Sequence, residues 1–205
     1  MAREEAEGGT TSRGSDRTRA RILEAAMDAF ARHGFDGTSV RSIAARCGLS
    51  DAAVFYYFPT KRHLLDALWD EAPTGDFPSP IPGRPLSADV IRELVVATMR
   101  ISARNFTYLR LVAREVLRSD ETAIAIRNSS RARWRKVLGG HLEPAGPRAP
   151  ALVELFTAAV TGYLLRLEIE HGDEYPKLVL NPDVQERVVQ AVLRLIPIDA
   201  GAAAA

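Results

Sequence analysis

The chain has 205 residues, 46% of them hydrophobic and 26% charged, with a formal net charge of +1. That composition supports a folded core in one or two small domains, and it excludes both a wholly disordered chain and a uniformly basic one. The lone Cys47 excludes a disulfide framework and any cysteine-based metal site, and fits a reducing compartment.

Residues 1–16 are rich in Gly, Thr, Ser and charge and read as a disordered arm. They lack the apolar core of a signal peptide. No later run approaches the ~20 apolar residues of a bilayer span, so the expectation is a cytoplasmic protein without a membrane partner. From Arg17 to His33, Ile22, Leu23, Ala26, Ala29 and Phe30 follow a helical period. Gly34 then supplies a left-handed stop. Thr38 or Ser39 caps a second helix whose inner stripe is Val40, Ile43, Ala44 and Cys47. Gly48-Leu49-Ser50 interrupts the pattern for three residues, with Gly48 free to adopt positive φ and Ser50 placed to cap a short third helix, 51–57. Pro59 biases Phe58 away from helix, and Thr60 caps a fourth helix carrying Leu64, Leu65, Leu68 and Trp69. Phe55 and Phe58 are expected in the core.

Five prolines and two glycines between Pro73 and Pro85 mark an irregular connection, 73–87. Beyond it, helices are expected over about 88–105, 108–119, 121–142, 150–170 and 183–196. The stretches 144–150 and 172–182 separate the last three. The expected fold is all-α: a helix-turn-helix domain over 17–72, with its motif at 39–58, and a larger helical domain over 88–199.

Two helices joined by a three-residue glycine turn, the second of them short, match a helix-turn-helix. Such a unit lays one helix in the DNA major groove while the other braces it. Local charge agrees. Between Arg13 and Arg62 there are nine basic residues against five acidic, and Arg13, Arg17 and Arg19 are placed to reach along the backbone or into a minor groove. Binding through such charge weakens steeply with salt.

Residues 17–69 resemble the DNA-binding domain of the TetR/AcrR family of regulators. The resemblance rests on ILEAAMDAFARHGFDGTSVRSIAARCGLS and VFYYFPTKRHLL. It implies a phosphate contact at Thr38 and a base or phosphate contact at Arg41. Base reading falls to the start of the third helix, Ser50, Asp51, Ala52 and Ala53. Backbone contacts fall to Tyr56 and Tyr57, and a phosphate contact to Lys61. The sequence departs from the family pattern in three places: Ala53 stands where Thr is common, Phe55 where Tyr is common, and Asp51 is acidic. An Asp accepts from cytosine N4, and alanines touch thymine methyls.

The resemblance also implies a homodimer on an operator of double-stranded DNA. Its interface is a four-helix arrangement lined by Leu152, Leu155, Phe156, Ala159 and Tyr163 on one helix and by Val188, Val192 and Leu195 on the other. The second domain would hold a small-molecule effector, with Met99, Phe106, Tyr108, Trp134 and Phe156 as pocket candidates. From Arg100 to Lys136 there are ten basic residues and three acidic. An anionic effector met by Arg104 or a neighbour fits that excess, as do solvated helix faces. The fourth helix is the expected lever between the domains. The function expected is therefore a repressor released by an effector. The alternative is an activator or architectural DNA-binding regulator that needs no ligand. The scattered His33, His63, His141 and His171 show no ligand spacing, and no nucleophile elbow or phosphate-cradling loop is present. No metal, no cofactor and no enzymatic activity are expected.

Overall fold

The computed structural model describes residues 8–70, 79–81 and 84–196. Part of the expected arm (1–7) and part of the expected connection (73–78 and 82–83) lie outside the described residues, as do 71–72 and 197–205. Among those described there are ten α-helices and no strand: α1 (Gly8–Gly37), α2 (Val40–Cys47), α3 (Asp51–Tyr57), α4 (Lys61–Asp70), α5 (Ala88–Arg104), α6 (Phe106–Leu117), α7 (Glu121–Leu142), α8 (Ala149–His171), α9 (Tyr175–Leu180) and α10 (Pro182–Leu195).

Two expectations are corrected at the level of elements. Helix begins at Gly8 rather than near Arg17, because nothing in Gly8–Asp16 forbids α backbone and the following amphipathic turns propagate it backwards. The stretch 172–182, read as a separator, holds the short helix α9. Its Tyr175 and Val179 are buried, an anchoring by tertiary packing that two prolines and a glycine concealed. The Gly34 stop is present: φ is +74° there, and the helical run turns at that residue.

The helices form two compact units. The first contains α1–α4 and, from farther along the chain, residues Thr107–Arg127. Ile22, Phe30, Ile43, Val54, Leu64 and Leu65 are its fully buried centre, and Tyr108, Leu111, Val112 and Ala123 join the same apolar cluster. Most of α6 and the first turns of α7, which the sequence places with the second domain, thus complete the core of the first. The second unit contains α5 and the chain from Asn128 onward. Its core gathers Ile91, Leu94 and Met99 from α5, Trp134 and Leu138 from α7, Phe156 and Val160 from α8, and Val188, Val189 and Val192 from α10. Within it Pro80 packs on Gly140 so closely that a Cβ there would meet the proline Cγ at 2.6 Å.

Candidate nucleic-acid interface

The geometry of α2 and α3 follows from three small residues. Ser39 is extended (φ −105°) and its Oγ accepts the Ser42 N–H at 3.0 Å, starting α2. Gly48 is left-handed (φ 64°, ψ 34°), and the Leu49 N–H donates to the Ala44 carbonyl at 2.9 Å, which stops α2. Ser50 is again extended, and its Oγ accepts the Ala53 N–H at 3.2 Å, starting α3. With so few residues between caps the two helices share one core: Ile43, Ala44 and Cys47 from α2, and Val54 from α3, are buried.

What α3 turns outward is the candidate reading face. Asp51 and Ala52 are exposed at its start. Tyr56 is 82% exposed, and Phe55 is 44% exposed. Phe55 therefore does not join the core as expected; the register set by Val54 and Phe58, both buried, points the intervening ring outward. Ala53 and Tyr57 are half-buried, and the Tyr56 and Tyr57 rings meet edge-on at 5.3 Å. On α2, Arg41 is exposed. Arg46 is ion-paired with Asp28, which also holds Arg32 at 2.8 Å. Arg17 is exposed on α1, whereas the Arg19 guanidinium lies 5.4 Å over the Phe58 ring.

Two residues expected at phosphates are engaged inside the unit. Thr38 is 3% exposed, and its hydroxyl lies 2.8 Å from the Gly34 carbonyl and 3.1 Å from that of Ala29, tying the loop to α1. Its side chain is therefore not on the surface, which leaves a phosphate contact at Thr38 to its backbone. Lys61 is half-buried. Its Nζ donates to the carbonyls of Phe35 at 2.7 Å and Thr38 at 2.9 Å. The residue that sequence reasoning missed here is Glu115 on α6, whose carboxylate accepts the Phe35 N–H at 3.1 Å across a sequence separation of 80 residues. A lone acid within RLVAREVL carries no local signal of such a partner.

The family model for bacterial regulatory proteins of the tetR family matches residues 22–68. Among curated relatives, the regulator AcrR of Shigella flexneri is 30% identical over 92 residues, 42% of each chain. UidR of Escherichia coli K12 is 26% identical over 114 residues, 54% of this chain and 58% of UidR. RutR of the same strain is 40% identical over 60 residues, 29% of this chain and 28% of RutR. All three are named as transcriptional regulators of the helix-turn-helix type. The chain spans about half the length of the first relatives it matches. The likeness in fold extends further. A transcriptional regulator of Aquifex aeolicus VF5 aligns over 87% of this chain and 99% of its own with a TM-score of 0.61 at 19% identity. GusR of Salmonella enterica aligns over 87% and 95% with a TM-score of 0.56 at 20% identity.

Four of the five expected pocket residues are brought together, as core, and the fifth is not. Met99, Phe106, Trp134 and Phe156 belong to the core of the second unit, whereas Tyr108 is packed in the first, with its ring 6.1 Å from that of Trp69. Five aromatic or apolar residues spread along helices could not reveal that α6 divides from α5 in this way. Arg104 lies exposed on α5, beside a groove of about 540 Å³ with Val96, Ala97, Arg100 and Ile101. The arginine-rich run does not converge: Arg118 pairs with Asp36, and Arg135 with Glu154 at 2.9 Å.

Four of the expected interface residues are taken by the core of the single chain. Leu152, Phe156, Val188 and Val192 are buried within the second unit, and the half-buried Ala159 and Tyr163 pack against the same core. Leu155 and Leu195 face outward. Helix α8 is apolar all round, so its sequence period did not say which side faces in. Its outer side carries Ala151, Leu155, Ala158, Gly162, Leu165 and Ile169, spaced alternately by four and three residues. No helix among the described residues is long and apolar enough to cross a membrane.

Proposed function

We propose that the chain is a dimeric repressor that binds operator DNA through α3 and is released by a small-molecule effector. The observation that carries the reading is the outward face of α3. A two-turn helix, capped at its start and braced by α2, presents Asp51, Ala52, Phe55 and Tyr56 to solvent with Arg41 exposed on the neighbouring helix. One α-helix of this size fits the major groove. The TetR-family match over 22–68 covers this unit, and curated relatives aligned there are named as transcriptional regulators.

Dimerisation supplies the second reading helix, since a two-fold reader engages half-sites about 34–36 Å apart. The outer stripe of α8 suits that role. Its alternation of four and three is the spacing of a helix–helix seam, and Leu165 and Ile169 are 57% and 76% exposed in the single chain. For the effector, the α5 groove sets Arg92, Arg100 and Arg104 beside apolar Val96, Ala97 and Ile101, and its one carboxylate, Glu93, is paired with Arg84, a combination that suits an anionic amphiphile.

The test is selection of a duplex from a random-sequence pool by the purified chain, followed by footprinting of the selected site at rising salt. A protected, roughly palindromic site whose affinity falls steeply with salt supports the reading; a chain that enriches no sequence refutes it. Loss of that footprint on adding decanoate, and not decanol, supports the anionic effector.

A further inference from the structure

A carboxylate that has left water needs partners that replace the solvent. Glu115 is only 2% exposed, and its partners are the Phe35 N–H at 3.1 Å and the Arg118 guanidinium at 3.5 Å. Arg118 in turn pairs with Asp36, the next residue of the same loop. Phe35 is gripped on its other sides as well. Its carbonyl accepts from Lys61 Nζ at 2.7 Å, its ring lies 4.3 Å from that ammonium, and the Phe30 ring is 5.7 Å away. Phe35 opens the last turn of α1, past the Gly34 kink, which leads through Thr38 to Ser39, the cap of α2. The entry direction of α2, and through the Gly48 turn that of α3, is thus set by a residue held between α4 and α6.

We propose that Glu115 is a positioning residue for the DNA-reading helices: from α6 it holds the Phe35 amide and so fixes how α2 and α3 leave α1. The inference rests on the DNA-binding reading above and extends it to a residue far outside the helix-turn-helix. It also gives α6 a role in control. In the chain, α6 is preceded by α5 and followed by α7, which belong to the second unit wholly and from Asn128 onward, respectively. Whatever displaces α6 along that path loosens the hold on Phe35 and lowers DNA affinity without touching a DNA contact.

The experiment compares wild type, Glu115→Gln, Glu115→Ala and the control Leu117→Ala, whose side chain is exposed on the same helix. Each is measured on the duplex selected by the wild type, over a range of salt, and by amide hydrogen exchange resolved at Phe35. Loss of a hydrogen bond to a charged group predicts about a tenfold weaker Kd for Glu115→Ala and about threefold for Glu115→Gln, whose amide oxygen still accepts. The salt slope is unchanged, because no phosphate contact is lost. Phe35 exchanges faster in both variants, while the amides of Leu64 and Leu65 keep their wild-type rates. Wild-type affinity in Glu115→Gln together with unaltered Phe35 exchange overturns the proposal. So does a salt slope reduced by about 0.9, the signature of a lost phosphate contact. Should Glu115→Ala fail to fold, Glu115→Gln alone decides. A wild-type chain that enriches no duplex sinks the DNA reading instead, and the exchange measurement still reports whether Glu115 holds the loop.

Discussion

The Lys61 ammonium donates to the Phe35 carbonyl at 2.7 Å and lies 4.3 Å from the centre of that residue's ring. It also donates to the Thr38 carbonyl at 2.9 Å, so its position is dictated by the loop between α1 and α2. Arg41, by contrast, is exposed on α2. Removing the two charges should therefore have different signatures. Lys61→Met lowers DNA affinity through the loop, with the dependence of log Kd on log salt intact. Arg41→Ala reduces that slope by about 0.9 if one phosphate contact disappears. Fluorescence anisotropy on the selected duplex at four or five salt concentrations separates them; equal slope changes in both variants would contradict the tether.

Asp120 joins the start of α7 to α4. Its carboxylate accepts the Ala123 N–H at 2.9 Å and pairs with Arg62 at 2.7 Å. Burial alone would raise its pKa, but the backbone N–H and the Arg62 guanidinium outweigh that and hold it below the usual carboxylate value. A depressed folded pKa gives stability that is present above the unfolded value and is lost as pH falls through the folded one. Asp120→Asn should therefore lower the urea midpoint at pH 7, by about 1 kcal/mol for a lost cap, and the difference from wild type should shrink in acid. A constant difference down to pH 2 would rule out the charged cap.

Tyr175 supplies the alkaline counterpart. It is buried, and its hydroxyl lies 2.5 Å from Ser102 Oγ. Burial raises the phenol to about 12 from an ordinary value of 10.0, although the Ser102 hydroxyl acts in the opposite direction. A raised pKa means stability that is complete below about pH 10 and erodes as pH climbs toward 12. Chemical denaturation between pH 8 and 12 should show wild type losing stability faster than Tyr175→Phe over that window, and parallel curves would remove Tyr175 as the cause.

Trp69 Nε1 and Tyr108 Oη are buried with no hydrogen-bond partner among the described residues, and their rings meet edge-on at 6.1 Å. A buried donor without an acceptor costs about 1–3 kcal/mol. Tyr108→Phe keeps the ring and deletes the unsatisfied group, so its melting temperature should equal or exceed that of wild type. A clear fall would mean that the hydroxyl has an acceptor in solution.

The outward stripe of α8 makes a prediction about assembly. Leu165→Glu and Ile169→Glu place charge on exposed positions, so both variants should keep wild-type helicity yet sediment as monomers at micromolar concentration. Val188→Glu, at a buried position, should instead lose its cooperative melt. Sedimentation velocity beside circular dichroism decides, and dimers that survive the double α8 variant would exclude this surface.

The sequence was most informative where structure is made by neighbours. Gly48 and Ser50 announce a stop and a start through local chemistry alone, and Ser39 takes the cap that the pattern left open between Thr38 and Ser39. It was least informative where the decision is made far away. Phe55 sits on a helix too short for a period to show its side, and its outward direction depends on Val54 and Phe58 being taken by the core. Leu152 and Leu155 look alike in a helix apolar all round; only packing in the second unit tells that the first faces in and the second out. The bond from Phe35 to Glu115 spans 80 residues, and with it goes the assignment of α6 to the first unit.

The face of α3 also carries a rule of refusal. Its exposed side chains are a carboxylate, a methyl and two rings, Asp51, Ala52, Phe55 and Tyr56, without an arginine, lysine or amide. Guanine shows the major groove only acceptors, so Asp51 repels it, the methyl and the phenyl ring offer it nothing, and the Tyr56 hydroxyl is the one donor on this face. Cytosine's amino group and thymine's methyl are the edges such a surface welcomes. On the DNA-binding reading proposed above, discrimination would come largely from rejecting guanine beside Asp51, leaving positive recognition of guanine to Tyr56 Oη and Arg41.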